Sequence, residues 1–205
     1  MALVTSQRDK LKSLFEKRPI LRARELRAAG IAAETIARAV DEGDIDRIAR
    51  GLYQNSDADI NADQNLAEVA KRIPKGVIAM VSALAYHGLT DQMPRRVWVA
   101  IGTSDWAPTS AHPPLKIVRF ADKYLKQGVA YYEISGVEVP IYSIPKTLAD
   151  LFRNARLADR SVAIEGLRSA LDQRKTTPSE IAEAAVAGGA WKVMKPYLEA
   201  LTAHG

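Results

Sequence analysis

The sequence predicts an α+β fold class: an N-terminal winged helix-turn-helix over residues 1–56, then a mixed α/β domain with a helical C-terminal tail over residues 57–205. Three observations predict it. Short amphipathic runs punctuated by Pro19, Gly30 and Gly43 fill the first forty-odd positions. The segment DIDRIARGLYQN, residues 44–55, sets two runs of branched and aromatic residues about a tight Ala49-Arg50-Gly51 turn. Beyond the polar stretch NSDADINAD, residues 55–63, the pattern shifts to strand-like segments and then to helices.

In order, residues 6–17 predict a helix, with Leu11, Leu14 and Phe15 at i, i+3, i+4 as its apolar stripe. Pro19 bars its continuation, and Ile20-Leu21 reads as an extended link. A second helix starts near Arg22 and stops at Gly30, which suits a C′ position. A third covers residues 33–42 and ends at Gly43. In it Ile36 and Val40 face inward, Ala33, Ala37 and Ala39 fill close contacts, and Glu34, Thr35, Arg38 and Asp41 point outward. Two short helices across a glycine-containing turn are the helix-turn-helix pattern. The hairpin after them reads as a wing with Arg50 at its tip and Arg47 on its first strand.

Residues 55–63 read as a linker. Residues 66–73 continue a helix stopped by Pro74. The run GVIAMVSALAYHGLT is a strand then a helix, or one buried helix ending at Gly88. RRVWVAIG and LKIVRFA read as strands, and AYYEISGVEVPIYS as a hairpin turned at Ser135-Gly136. Helices follow at PKTLADLFRN with Pro145 in its first turn, and over residues 161–173, 178–187 (introduced by Thr177) and 191–203.

Composition narrows the chemistry. With no cysteine and only His87, His112 and His204, thiolate chemistry is excluded and paired helical histidine ligands are absent. No apolar leader or membrane-length run is visible, which points to a soluble cytoplasmic protein. Net charge is +5. Residues 8–27 hold eight basic side chains (Arg8, Lys10, Lys12, Lys17, Arg18, Arg22, Arg24, Arg27) against Asp9, Glu16 and Glu25. Such a stripe suits a polyanion.

On this reading the third helix lies in the major groove and presents Thr35 and Arg38 to base edges. Arg22 and Arg24 meet phosphate with help from the second helix's N-terminus, and Arg47 and Arg50 add phosphate contacts. Against it, Glu34, Asp41, Glu42, Asp44 and Asp46 outnumber Arg38 and Arg47 over residues 28–48. A protein-interaction module is therefore the alternative. GTSDW, residues 102–106, has the glycine-serine turn of a nucleotidyltransferase, yet Asp105 lacks the downstream carboxylates two metals need. Ser82 and His87 are five apart and do not share a helix face. His87 reads as a helix-end residue that binds a carbonyl or packs. Trp98, Trp106 and Trp191 read as core or interface anchors. No catalytic residue, metal site or cofactor is expected.

The stretches LRAAGI, IARAV followed by EG, and DRIARGLYQ resemble the winged-helix domain of AbiEi-type antitoxins, transcriptional regulators of type IV toxin–antitoxin pairs in phage defence. SALAYHGLTDQMPRRVWVAI and IYSIPKTLADLFR are similar to stretches of that family's second domain, so the resemblance spans about residues 11–171. It implies a repressor that binds inverted repeats in its own promoter. It also implies a second domain that counters a nucleotidyltransferase-like toxin without a stable complex. By position, Arg22, Arg24, Thr35, Arg38, Arg47 and Arg50 fall on the DNA-contacting elements. Some relatives end in a nuclease-like domain with an acid and a Glu-x-Lys core; the helical chain after Arg153 lacks that set.

Overall fold

The computed structural model describes residues 6–56, 62–107 and 113–203. The linker residues 57–61, and His112 and His204, lie outside them. The chain divides into two compact units: Met1–Arg72 with Glu133–Glu138, and Ile73–Tyr132 with Val139–Gly205.

The first unit begins with α1 (Gln7–Lys17), closed at its start by a capping box in which Ser6 and Asp9 bond each other's backbone N–H. Then come β1 (Ile20–Arg22), α2 (Ala23–Ala28), α3 (Ala33–Asp41), β2 (Ile45–Ala49), β3 (Leu52–Asn55) and α4 (Ala62–Arg72). Gly30 at φ +80° and Gly43 at φ +76° end α2 and α3. A side chain there would meet the left-handed penalty that glycine avoids. The expected link at Ile20-Leu21 is in fact a strand. β1 pairs antiparallel with β3, which also pairs with β2, giving the order β1-β3-β2. Short strands of this kind are set by their partner's backbone, which local sequence does not reveal.

Leu11, Phe15, Leu21, Leu26, Ile31, Ile36, Ala39 and Ile45 form this unit's core. Each large one contributes roughly 1.5–3 kcal/mol on burial. On α3, Ala39 is buried as expected, but Ala33 and Ala37 are exposed. They are bare positions on the outer face rather than packing fillers.

The second unit holds β4 (Val77–Ile78), α5 (Met80–Tyr86), β5 (Val97–Gly102), β6 (Leu115–Phe120), α6 (Asp122–Leu125), β7 (Val129–Ile134) and β8 (Val137–Tyr142). The helices α7 (Ile144–Arg153), α8 (Arg160–Asp172), α9 (Pro178–Ala187) and α10 (Trp191–Thr202) follow. The sheet order is β6-β5-β4-β8-β7, with β4 antiparallel to β5 and parallel to β8, and β5 parallel to β6. The tip residues 133–138 of the β7–β8 hairpin cluster with the first unit. Its turn is Ser135-Gly136, both at positive φ, as the sequence indicates. Of the two readings of GVIAMVSALAYHGLT, the strand then helix is the one realised. α5, α7, α8, α9 and α10 bury Leu84, Leu148, Leu151, Phe152, Leu167, Ile181, Met194 and Leu198 in one core with Val118 and Tyr142.

Candidate nucleic-acid interface

The hairpin of the first unit has a bulge between Arg47 and Ala49 and a two-residue turn, Arg50-Gly51, with Gly51 at φ +68°. Its tip is tied down: the Ala23 N–H donates to the Gly51 carbonyl at 2.9 Å. That bond, with the β1–β3 pairing of Arg22 to Leu52, sets the backbones of Arg22, Arg24 and Arg50 beside one another. Burial and the neighbouring charge of Arg24 hold the Arg22 guanidinium below its ordinary pKa. Two cations left side by side leave a strong local positive potential.

Two amides at the start of α2 are bonded within the protein. The Arg22 N–H donates to the Glu25 carboxylate at 2.7 Å, and the Ala23 N–H to Gly51. Both amides are therefore committed inside the protein. Glu25 also accepts from Lys71 at 2.6 Å and Arg18 at 3.3 Å. Burial works to raise the Glu25 pKa, but these bonds hold it below the ordinary carboxylate value.

α3 stands between two grooves. One, of about 240 Å³, runs from Ala23 and Arg27 on α2 past Ile36 and Asp41 to Arg47 and Tyr53 on the hairpin. The other, of about 260 Å³, lies between α3 and the start of α1, lined by Ser6, Gln7, Arg8, Thr35, Arg38 and Glu42. The ridge between them exposes Glu34, Ala37, Arg38 and Asp41. Thr35 is only half-exposed, and its hydroxyl donates to the Gln7 side chain at 2.9 Å.

The acid excess over residues 28–48 is largely cancelled in three dimensions. Arg8 on α1 pairs with Glu42 at 2.8 Å and Asp44 at 2.7 Å, and Lys12 lies 3.7 Å from Asp44. Hydrogen bonding to Asp44 raises the Arg8 pKa further. Among the described residues, Arg22, Arg24, Arg27, Arg38, Arg47 and Arg50 have no carboxylate within ion-pair distance. At the end of β1 and on α2, α3 and the hairpin these six cations face three uncompensated acids, Glu34, Asp41 and Asp46. Arg27 and Tyr53 line one groove, and only the folding of the hairpin against α2 brings them together. The neutralising role of Arg8 has no local signature either.

In the second unit the resemblance-bearing motifs hold structural positions. The buried Ser82 hydroxyl accepts from the Trp98 N–H at 3.0 Å. His87 is the last residue of its helix cap, and its Nε2 lies 2.8 Å from the Tyr142 carbonyl, so that nitrogen carries the proton and donates. Burial lowers its pKa. The carboxylate of Asp105 accepts from the Gly102 N–H at 2.9 Å, and Arg119 donates to the carbonyls of Gly102, Thr103 and Asp105. Trp98 is buried, whereas Trp106 is 79% exposed and anchors nothing in the core. Among the described residues no group of three or more His, Asp or Glu could hold a metal ion, and no helix is long and apolar enough to cross a membrane.

Helix, strand, helix, helix and hairpin, carrying a net cationic surface, fit a helix-turn-helix unit. Residues 9–56 match the family described as "Transcriptional regulator, AbiEi antitoxin", a match that supports an AbiEi-type antitoxin and regulator reading of this segment. The whole fold is similar to the crystal structure of the RV2827C protein from Mycobacterium tuberculosis. That similarity has 13% identity and a TM-score of 0.58, and covers 96% of this chain and 80% of that one. At this identity the likeness concerns the fold alone. No curated protein matches.

Proposed function

We propose that this chain is a sequence-specific DNA-binding repressor that acts in the cytoplasm as the antitoxin of a type IV toxin–antitoxin pair and represses its own operon. The observation that carries this reading is the set of six arginines without carboxylate partners at the end of β1 and on α2, α3 and the hairpin. The order β1-β3-β2 supports reading the hairpin as a wing beside α3. In this reading α3 enters the major groove with Arg38 toward base edges, while Arg22, Arg24, Arg47 and Arg50 meet the backbone. Thr35 acts at the same helix, with its hydroxyl turned toward α1. The DNA is the chain's own promoter, with inverted repeats that two copies occupy. The second unit opposes a nucleotidyltransferase-like toxin without forming a stable complex with it.

Fluorescence anisotropy tests this, with a labelled duplex from immediately upstream of the gene and a scrambled duplex as competitor. The upstream duplex should be preferred. With Arg22, Arg24, Arg47 and Arg50 each neutralising a phosphate, log affinity should fall with log salt at a slope of about −4 per protomer. Arg38→Ala should cost about 1–3 kcal/mol on the upstream duplex, and Arg50→Ala should weaken both duplexes alike. No preference, with a salt-insensitive signal, would favour the alternative of an interaction protein whose second unit inhibits a partner enzyme.

A further inference from the structure

We propose that Gln7 is a positioning residue for DNA recognition, acting through Thr35 to set the start of α3; this rests on the DNA-binding reading above. Three side-chain bonds carry it. The Gln7 Oε1 accepts from the Ala32 N–H at 2.9 Å and from the Thr35 hydroxyl at 2.9 Å, and its Nε2 donates to the Gly30 carbonyl at 3.2 Å. Two donors face the oxygen and one acceptor faces the nitrogen, so the amide has one orientation that satisfies all three.

These bonds replace something α3 lacks. In α1, α2 and α9 the third helical residue is an acid, Asp9, Glu25 or Glu180, and it reaches back to accept the N-cap N–H. α3 has Ala32 at its N-cap, with no capping side chain, and Thr35 at the third position. Thr35 does not reach back to Ala32. Gln7, from a different helix, accepts that N–H instead, and Thr35 bonds to the same oxygen. The start of α3 is thus capped by α1, and the cap sets the rotation of α3 about its own axis. That rotation determines whether Arg38 and its exposed neighbours stand outward. Thr35 takes part as one leg of this bridge and not as a base reader.

A double-mutant cycle on the full chain tests it, using the labelled upstream duplex and the scrambled duplex as probes, with circular dichroism confirming the fold of each variant. Gln7→Ala and Thr35→Val should each lower affinity for the upstream duplex about tenfold. Scrambled-duplex affinity and the salt slope should stay unchanged, because no phosphate contact is lost. The double variant should be no worse than the weaker single one, and Thr35→Ser, which keeps the hydroxyl, should bind as the wild type does. Losses that multiply in the double variant would overturn the inference, since Thr35 would then contact DNA independently. A Gln7→Ala variant indistinguishable from a wild type that prefers the upstream duplex would overturn it too. A wild type without that preference refutes the DNA-binding reading itself.

Discussion

Lys146→Met should destabilise the second unit by about 3–4 kcal/mol at pH 7, with a deficit that shrinks in acid. Lys146 Nζ lies 2.7 Å from Asp150 Oδ1 in one turn of α7, and the two side chains are 3% and 0% exposed. Burial lowers the Lys146 pKa and raises that of Asp150, each against the attraction of the other. Arg153, 4.0 Å from the same oxygen, is the next cation. Removing one member of such a pair typically costs about 3–5 kcal/mol, because the survivor is left charged in a dry site. The carboxyl has an escape: it can take up a proton. For an ordinary carboxyl near pKa 3.9, protonation at pH 7 costs roughly 4 kcal/mol, which caps the loss.

The pH dependence follows from that escape. In the variant, folded Asp150 is protonated while the unfolded chain is ionised above about pH 4, so the folded state binds the extra proton. Stability relative to wild type then rises by about 1.4 kcal/mol per unit as pH falls, leaving a deficit of about 1 kcal/mol or less at pH 5. The assay is urea unfolding followed by tryptophan fluorescence. Trp98, Trp106 and Trp191 all lie in the second unit, so the signal reports that unit alone. Lys146→Met with Asp150→Leu should return to within about 1–2 kcal/mol of wild type. A single-variant loss below about 1 kcal/mol at pH 7, or one that does not change between pH 7 and pH 5, would refute the reasoning.

Two other predictions follow from the contacts described. Arg8→Ala releases Glu42 and Asp44 at the end of α3, so affinity for upstream and scrambled duplexes should fall together several-fold; adding Glu42→Gln and Asp44→Asn should restore it, as anisotropy would show. His87, its pKa lowered by burial, contributes stability that is fully present above its unfolded value of about 6.5 and lost as pH falls from there through the folded value. His87→Gln should flatten that loss in urea titrations between about pH 6.5 and 5, and an unchanged profile would exclude His87 as its source.

Much of the fold was legible because its signals are local. Ser6 and Thr177 cap helices within three residues of themselves, Gly30 and Gly43 end them, and Ser135-Gly136 turns a hairpin, so neighbouring residues suffice to define each feature. The arginines of the candidate interface were legible by type and by element. The sequence by itself therefore determined most of the helices and hairpins, the cationic character of the first unit and its regulator-like pattern. Only the tertiary structure decided which charges remain. Arg8 reaches across 36 residues to Asp44, Gln7 across 25 and 28 to Ala32 and Thr35, and Gly51 closes on Ala23. The exposure of Ala37, the strand at Ile20–Arg22 and the burial of the Lys146–Asp150 pair belong to the same class. Each depends on what another segment brings to that place, and hydrogen bonding and burial are properties of that meeting rather than of either segment alone.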